Sequence, residues 1–311
     1  MKTWFKSLVS TCAIIPFAAC ALTPSPTAMA KEPAGAATAA VTTAKPAIWS
    51  VSDADTTIYL FGSVHVLKPG LSWFDGAVKQ AFDKSDELIL ELVLPDDPAE
   101  TAGVMMPLAL DQTGKTIPSR LTPDELKAYQ AAMVSVGLPP AQFDAFEPWF
   151  AAVTLSVLPL TKLGYDPNSG VEKQLTGFAK TANKPVSGFE TLEEQLGFFD
   201  ALPEAQQVAF LNSTVKELDQ LGPMLDKMVV LWGKGDPDAL AVTMNESLAA
   251  TPELAKVLLW DRNARWADKI KERLRQPGTV FVAVGAGHLA GDHSVQEYLK
   301  LRGLTARRIA N

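Results

Sequence analysis

Two apolar runs in this chain end the same way. Thr57–Phe61 (TIYLF) stops at Gly62 and is followed three residues on by His65, and Thr279–Val284 (TVFVAV) stops at Gly285 and is followed three residues on by His288. Short runs of β-branched and aromatic residues read as buried strands, so each Gly-x-x-His places an imidazole just past a strand end. The chain has three histidines, and two share this setting. Buried strands without an alternating polar face belong in a sheet covered on both sides, and such α/β sheets gather polar groups at the carboxyl ends of their strands.

The remaining pattern fills in that frame. Ala47–Ser52 pairs with Thr57–Phe61 as a predicted hairpin across Asp53-Ala54-Asp55-Thr56. Phe74, Val78, Ala81 and Phe82 give Trp73–Lys84 a helical period, and Glu87–Val93 (ELILELV) follows as a strand stopped by Pro95. This predicts a β-α-β unit whose second strand carries Glu91 toward the edge that holds His65. Pro98 to Leu163 is helical in period, with a start signal at Thr122-Pro123-Asp124-Glu125. Lys184–Phe189 is a short strand ending at Glu190, and helices continue through Arg275, the last one from Pro252 and carrying Arg262. Ser294–Arg302 and Leu304–Ile309 close the chain as a helix and a strand. The predicted fold class is α/β: a mixed central sheet with two β-Gly-x-x-His halves and a large helical insertion between them.

The first 30 residues stand apart. Lys2 and Lys6 precede an apolar run from Leu8 to Leu22, and Ala28-Met29-Ala30 precedes Lys31. That order reads as a secretory signal peptide cut after Ala30, since the apolar run is short for a membrane span and a small-x-small site follows it. The rival reading makes Cys20 a lipidated N-terminus. Both cysteines, Cys12 and Cys20, lie in this leader, so the mature chain has no thiol chemistry. Residues 31–46, rich in Ala, Thr and Pro, read as a disordered tether, leaving 47–311 as one α/β domain with no transmembrane span. Loss of Lys2 and Lys6 from 28 basic residues, against 35 acidic ones, leaves a net charge of −9. Nucleic acid is therefore excluded as a partner.

Imidazoles and carboxylates at strand ends suit a divalent metal or general acid–base work. Alternatively, each His merely hydrogen-bonds to backbone. Glycine before each His is read as allowing a sharp turn. Glu190 ends a strand as Glu91 does, as a site carboxylate or a helix-start acid. Arg262 holds a site anion or covers a surface, and His293 is read as a solvated residue at a helix start. Three other chemistries are set aside. Gly285-Ala286-Gly287-His288-Leu289-Ala290 fits a dinucleotide fingerprint, but only 21 residues follow it. No G-x-S-x-G or H-E-x-x-H is present.

The segments FGSVHVL, LELVLP, GYDPNSGVEKQL, GFETLEEQLGFFDALP, WDRNARWADKI and GAGHLAGDHSVQEYLKLRG together resemble the TraB/GumN family, which is similar to the Tiki metalloproteases and more distantly to erythromycin-esterase-type hydrolases. The resemblance runs from about Ala47 to Ile309. It implies an α/β core and, from the Tiki branch, metal-dependent peptide hydrolysis. On that reading His65, Glu91 and His288 hold a divalent ion (Mn, Co or Zn), Glu190 and Arg262 flank it, and the substrate is a peptide or another small molecule. Glu172 stands where the family pattern often has Asp. The competing reading is a non-catalytic module that sequesters a peptide, pheromone or saccharide.

The leader generates the first prediction. Mass spectrometry of exported protein is expected to give Lys31 as the N-terminus; an acylated Cys20 or an intact Met1 would contradict it.

Overall fold

The computed structural model describes residues 42–248 and 252–311. The signal peptide read from residues 1–30, and most of the tether, lie outside the described residues. The tether's last part does not match its reading. Thr42–Thr43 (β1) pairs in parallel with Leu71–Ser72 (β4), the Ala44 N–H donates to the Ser72 carbonyl at 2.7 Å, and Ala44 is buried in the core. The ordered chain thus starts before Ala47, because a small apolar side chain there fills space against Gly233.

The main sheet has six strands in the order β6-β5-β7-β3-β2-β8. They are β2 (Ile48–Ser52), β3 (Thr56–Ser63), β5 (Glu87–Leu92), β6 (Val186–Glu190), β7 (Gly278–Gly285) and β8 (Arg307–Arg308). β3, β5, β6 and β7 are mutually parallel, and β2 runs antiparallel to both β3 and β8. The sheet is therefore mixed, and the strand ends bearing Gly62, Glu91, Glu190 and Gly285 lie along one edge. Register aligns Ser63 with Gly285, which sets the two Gly-x-x-His turns side by side.

One feature of the topology was not foreseen. The helix Gly76–Lys84 connects β3 to β5, yet these strands are not neighbours, because β7 lies between them. β7 is buried along its last six residues, and a strand without a solvent face is most stable where both of its faces and both of its edges are covered. The predicted helix from Trp73 also starts later, at Gly76. Trp73 instead stacks on Phe61, with ring centroids 5.6 Å apart. The final strand is only Arg307–Arg308, shorter than the predicted Leu304–Ile309.

Period-2 alternation divides the core between the two faces of the sheet. Phe61, Leu88, Leu90, Phe281 and Ala283 pack on one face against the helices Gly76–Lys84, Val171–Thr181 and Leu221–Gly233. Ile58, Leu60, Ile89, Val280 and Val282 pack on the other against Asp261–Arg273 and Val295–Leu301. A third core around Trp149, Tyr129 and Phe210 belongs to the helical insertion. Among the described residues no helix is long and apolar enough to cross a membrane.

Gly62 is not needed for an unusual backbone angle, since its φ is not positive. Its role is close approach: a Cβ there would stand 3.1 Å from the Ala286 Cα and 3.2 Å from the Ala286 Cβ. Gly62→Ala is expected to cost about 1–3 kcal/mol of stability in chemical denaturation, by pressing on Ala286 at the start of the His288 turn; an unchanged midpoint would show that the turn yields freely.

Candidate functional site

The edge of the sheet carries two polar clusters, one from each face. The first is built on His65. β3 delivers the chain to the edge, and the helix Val171–Thr181 brings Glu172 to meet it from the face that holds Phe61. The approach is close. A Cβ on Gly170 would lie 2.1 Å from the His65 carbonyl oxygen, and the Val171 N–H donates to the Val64 carbonyl at 3.0 Å. Gly170 therefore permits the pairing that follows: His65 Nδ1 stands 2.6 Å from Glu172 Oε1, which also accepts from the Ser63 hydroxyl.

Burial alone would lower the His65 pKa, but the carboxylate of Glu172 outweighs it and holds the imidazole above its ordinary value. Burial works to raise Glu172, and the charge of His65 together with the hydrogen bonds from His65 and Ser63 overcomes this and lowers it. The other ring nitrogen of His65, Nε2, is buried and has no hydrogen-bond partner among the described residues. His65 lines an opening of about 310 Å³, part of it solvent, whose wall is otherwise mostly apolar: Val64, Leu225, Met228, Trp232 and Leu240.

The second cluster is built on Arg262. The helix Asp261–Arg273 covers the face that holds Ile89, and alternation along β5 turns Glu91 to that same face. A five-residue π turn, Lys256–Trp260, precedes this helix where a regular continuation was expected from Pro252. Such turns often occur at functional sites, and here Arg262 Nη1 donates to the Leu258 carbonyl at 3.0 Å. Arg262 is 3 % exposed. Its Nη2 donates to Glu91 Oε2 at 2.9 Å and to Glu190 Oε2 at 2.7 Å, and its Nε lies 3.0 Å from both Glu190 oxygens. Trp266 Nε1 donates to Glu190 Oε1 at 3.0 Å, Gln195 Nε2 to Glu190 Oε2 at 3.1 Å, and the Gly285 N–H to Glu91 Oε1 at 2.5 Å.

His288 completes this cluster and is wholly buried. Its Nδ1 lies 2.5 Å from Asn263 Oδ1, while Asn263 Nδ2 donates to the His293 carbonyl at 2.8 Å. Asn263 therefore presents an acceptor, which puts the ring proton on Nδ1 and leaves the Nε2 lone pair toward Arg262 Nη1, 3.3 Å away. Burial, then the charge of Arg262, then that of His65, hold His288 well below the usual histidine pKa, so it is neutral. His293 is exposed, as read from sequence, and its ring stacks on Trp260 at 4.3 Å.

The structure thus gathers Glu91, Glu190, Arg262 and His288 into direct contact. His65 belongs to a neighbouring pair, near enough to feel the charges of Glu91 and Arg262. The sequence reading missed Glu172 as the partner of His65, although it had marked that position; it placed Trp266 on one helix face with Arg262 without giving it a role, and it gave none to Asn263, Gln195 or Gly170. Trp266 stands four residues from Arg262, the helical offset of a shared face, whereas Asn263, one residue on, is turned away from that face and carries no such signal.

A shared divalent ion needs lone pairs from His65, Glu91 and His288 aimed at one point. His65 Nε2 is free to serve. Glu91 and His288 approach each other to 3.5 Å, but both give their lone pairs to N–H donors, chiefly Arg262. Among the described residues no three His, Cys, Asp or Glu side chains are grouped as they would be around a metal ion. In this arrangement the three residues do not fit the expected ion.

The model of the TraB/PrgY/gumN family matches residues 47–308. The uncharacterized protein YbaP of Escherichia coli (strain K12) is 26% identical over 255 residues, spanning 82% of this chain and 92% of that protein. The YbaP protein of Shigella flexneri is 26% identical over 242 residues, covering 78% of this chain and 87% of its own length. An uncharacterized protein of Treponema pallidum (strain Nichols) is 22% identical over 274 residues, covering 82% and 80%. No solved structure matches the chain.

The His65–Glu172 pair generates a pH prediction. A raised His65 contributes stability that is full below its ordinary pKa of 6.5 and lost as pH rises through the folded value. A lowered Glu172 contributes stability that is full above 4.5 and lost as pH falls through its folded value. The stability difference between the wild type and Glu172→Gln is therefore expected to peak between pH 4.5 and 6.5, at about 1.5–3 kcal/mol for a charged hydrogen bond, and to shrink on either side. A difference that stays flat with pH in urea titrations would remove the ion pair.

Proposed function

The chain belongs to the TraB/PrgY/gumN family, and from that premise we propose that it is an exported hydrolase of peptide or ester bonds, acting at the carboxyl edge of its sheet. The observation that carries this reading is the His65–Glu172 pair: one ring nitrogen is held by a carboxylate, and the other is buried without a partner. That is the arrangement of a general base with its orienting group. A water beside Nε2 gives its proton to that nitrogen as its oxygen attacks the substrate carbonyl, and the proton then passes to the leaving amine or alcohol. Glu172 fixes the tautomer and stabilises the imidazolium formed in between. Export is supported by the Lys2/Lys6, apolar run and Ala-Met-Ala order of the leader. No step is assigned to a divalent ion, because Glu91 and His288 are engaged by Arg262.

One observation favours the second reading, a module that binds a peptide, pheromone or saccharide without turnover. Glu91, Glu190 and His288 are all held by the buried arginine and face no open space of their own.

A panel of fluorogenic peptides and activated esters separates the two. Turnover is expected, with kcat/KM rising with pH through the raised pKa of His65, since Nε2 must be unprotonated to act. His65→Ala should lower kcat/KM by about 10²–10⁴-fold. Glu172→Gln should move the rising limb to lower pH, because burial alone lowers the imidazole. Stoichiometric binding of a panel member with no turnover at any pH would establish the module instead.

A further inference from the structure

The cluster around Arg262 is built as an ion site is built, with a guanidinium at its centre. Two carboxylates and an imidazole nitrogen converge on it, and each partner is oriented from behind. Asn263 fixes the ring of His288, Trp266 and Gln195 hold Glu190, and the Gly285 N–H holds Glu91. The guanidinium plane also lies over aromatic rings, with its carbon 4.7 Å from the Trp266 centroid and 5.6 Å from that of Phe198. Such backing by hydrogen-bonded neighbours is what fixes the ligands of a metal.

We propose that the Arg262 guanidinium is the resident cation of this site, standing between Glu91, Glu190 and His288 in the place a divalent ion would take. The argument rests on lone pairs and on charge. Glu190 Oε1 accepts from Arg262 and Trp266, and its Oε2 from Arg262 and Gln195. Glu91 Oε2 accepts from Arg262, and Oε1 accepts from the Gly285 backbone, which cannot swing away without breaking the end of β7. An ion bound to Glu91 and His288 would have to displace these donors. It would also sit within a few ångströms of a second buried positive charge, where like charges repel strongly. An arginine suits the place because its planar fork offers five donors and keeps its charge when buried. The proposal concerns what holds the site together, and it stands whether or not the chain turns over a substrate.

The test is metal retention. The full mature chain is equilibrated with Mn²⁺, Co²⁺ or Zn²⁺, desalted and analysed by elemental mass spectrometry, beside Glu91→Gln, His288→Ala, Arg262→Lys and Arg262→Ala, each checked for folding by circular dichroism. The wild type is expected to retain no ion that either Glu91→Gln or His288→Ala removes. Arg262→Ala vacates the centre and is expected to retain about one ion per chain, with a rise in melting temperature on adding the metal. Arg262→Lys, still a cation, is expected to retain none. A wild-type ion lost in both Glu91→Gln and His288→Ala overturns the proposal, and so does a folded Arg262→Ala that takes no ion. Should Arg262→Ala fail to fold, the wild type and Arg262→Lys decide alone.

Discussion

A buried guanidinium cannot stand by itself. Moving a charge out of water costs several kcal/mol, and this is recovered only when opposite charges and hydrogen bonds meet it in good geometry. Arg262 meets that condition with partners from four separate places: Glu91 at the end of β5, Glu190 at the end of β6, Leu258 in the π turn, and His288 after β7. The requirement runs in both directions. Glu91 and Glu190 are buried carboxylates that would be as costly without the arginine, so the ends of three strands and one helix are bound to a single arrangement.

That arrangement depends in turn on where β7 goes. The last long strand of the chain enters the middle of the sheet, between β3 and β5. It thereby sets the Gly285 N–H against Glu91 and the His288 turn beside the His65 turn. Close packing keeps them together, since Gly62 and Ala286 approach so nearly that another carbon would press on Ala286. The two polar clusters then divide by face. Glu172 arrives from the helix layer on one side of the sheet and Arg262 from the layer on the other, so neither layer alone makes the site. This division also assigns different chemistry to the two histidines. His65, beside a carboxylate, is raised and can exchange a proton; His288, beside a guanidinium, is neutral and accepts a hydrogen bond.

Much of this was legible in the sequence. The strands predicted at Thr57–Phe61, Glu87–Val93 and Thr279–Val284 follow from largely apolar runs, the one at Lys184–Phe189 from a shorter and weaker signal, and their parallel alignment follows from the helical stretches between them. The repeated Gly-x-x-His, with Glu91 and Glu190 at strand ends, marked the edge where the polar groups meet, because burial leaves a charged residue few other reasons to end such a run. Arg262 was marked as well, though a surface role was equally open to it.

What the sequence could not decide was partnership. Arg262 bonds across 171 residues to Glu91 and across 72 to Glu190, and no local period encodes contacts so distant. The position of β7, the choice of Glu172 as the partner of His65, and the placing of a guanidinium between Glu91, Glu190 and His288 were all decided by packing in three dimensions. Local chemistry determines which residues seek the edge of the sheet. Only the tertiary structure, by fixing which charges are buried within hydrogen-bonding reach of one another, determines what each of them does there.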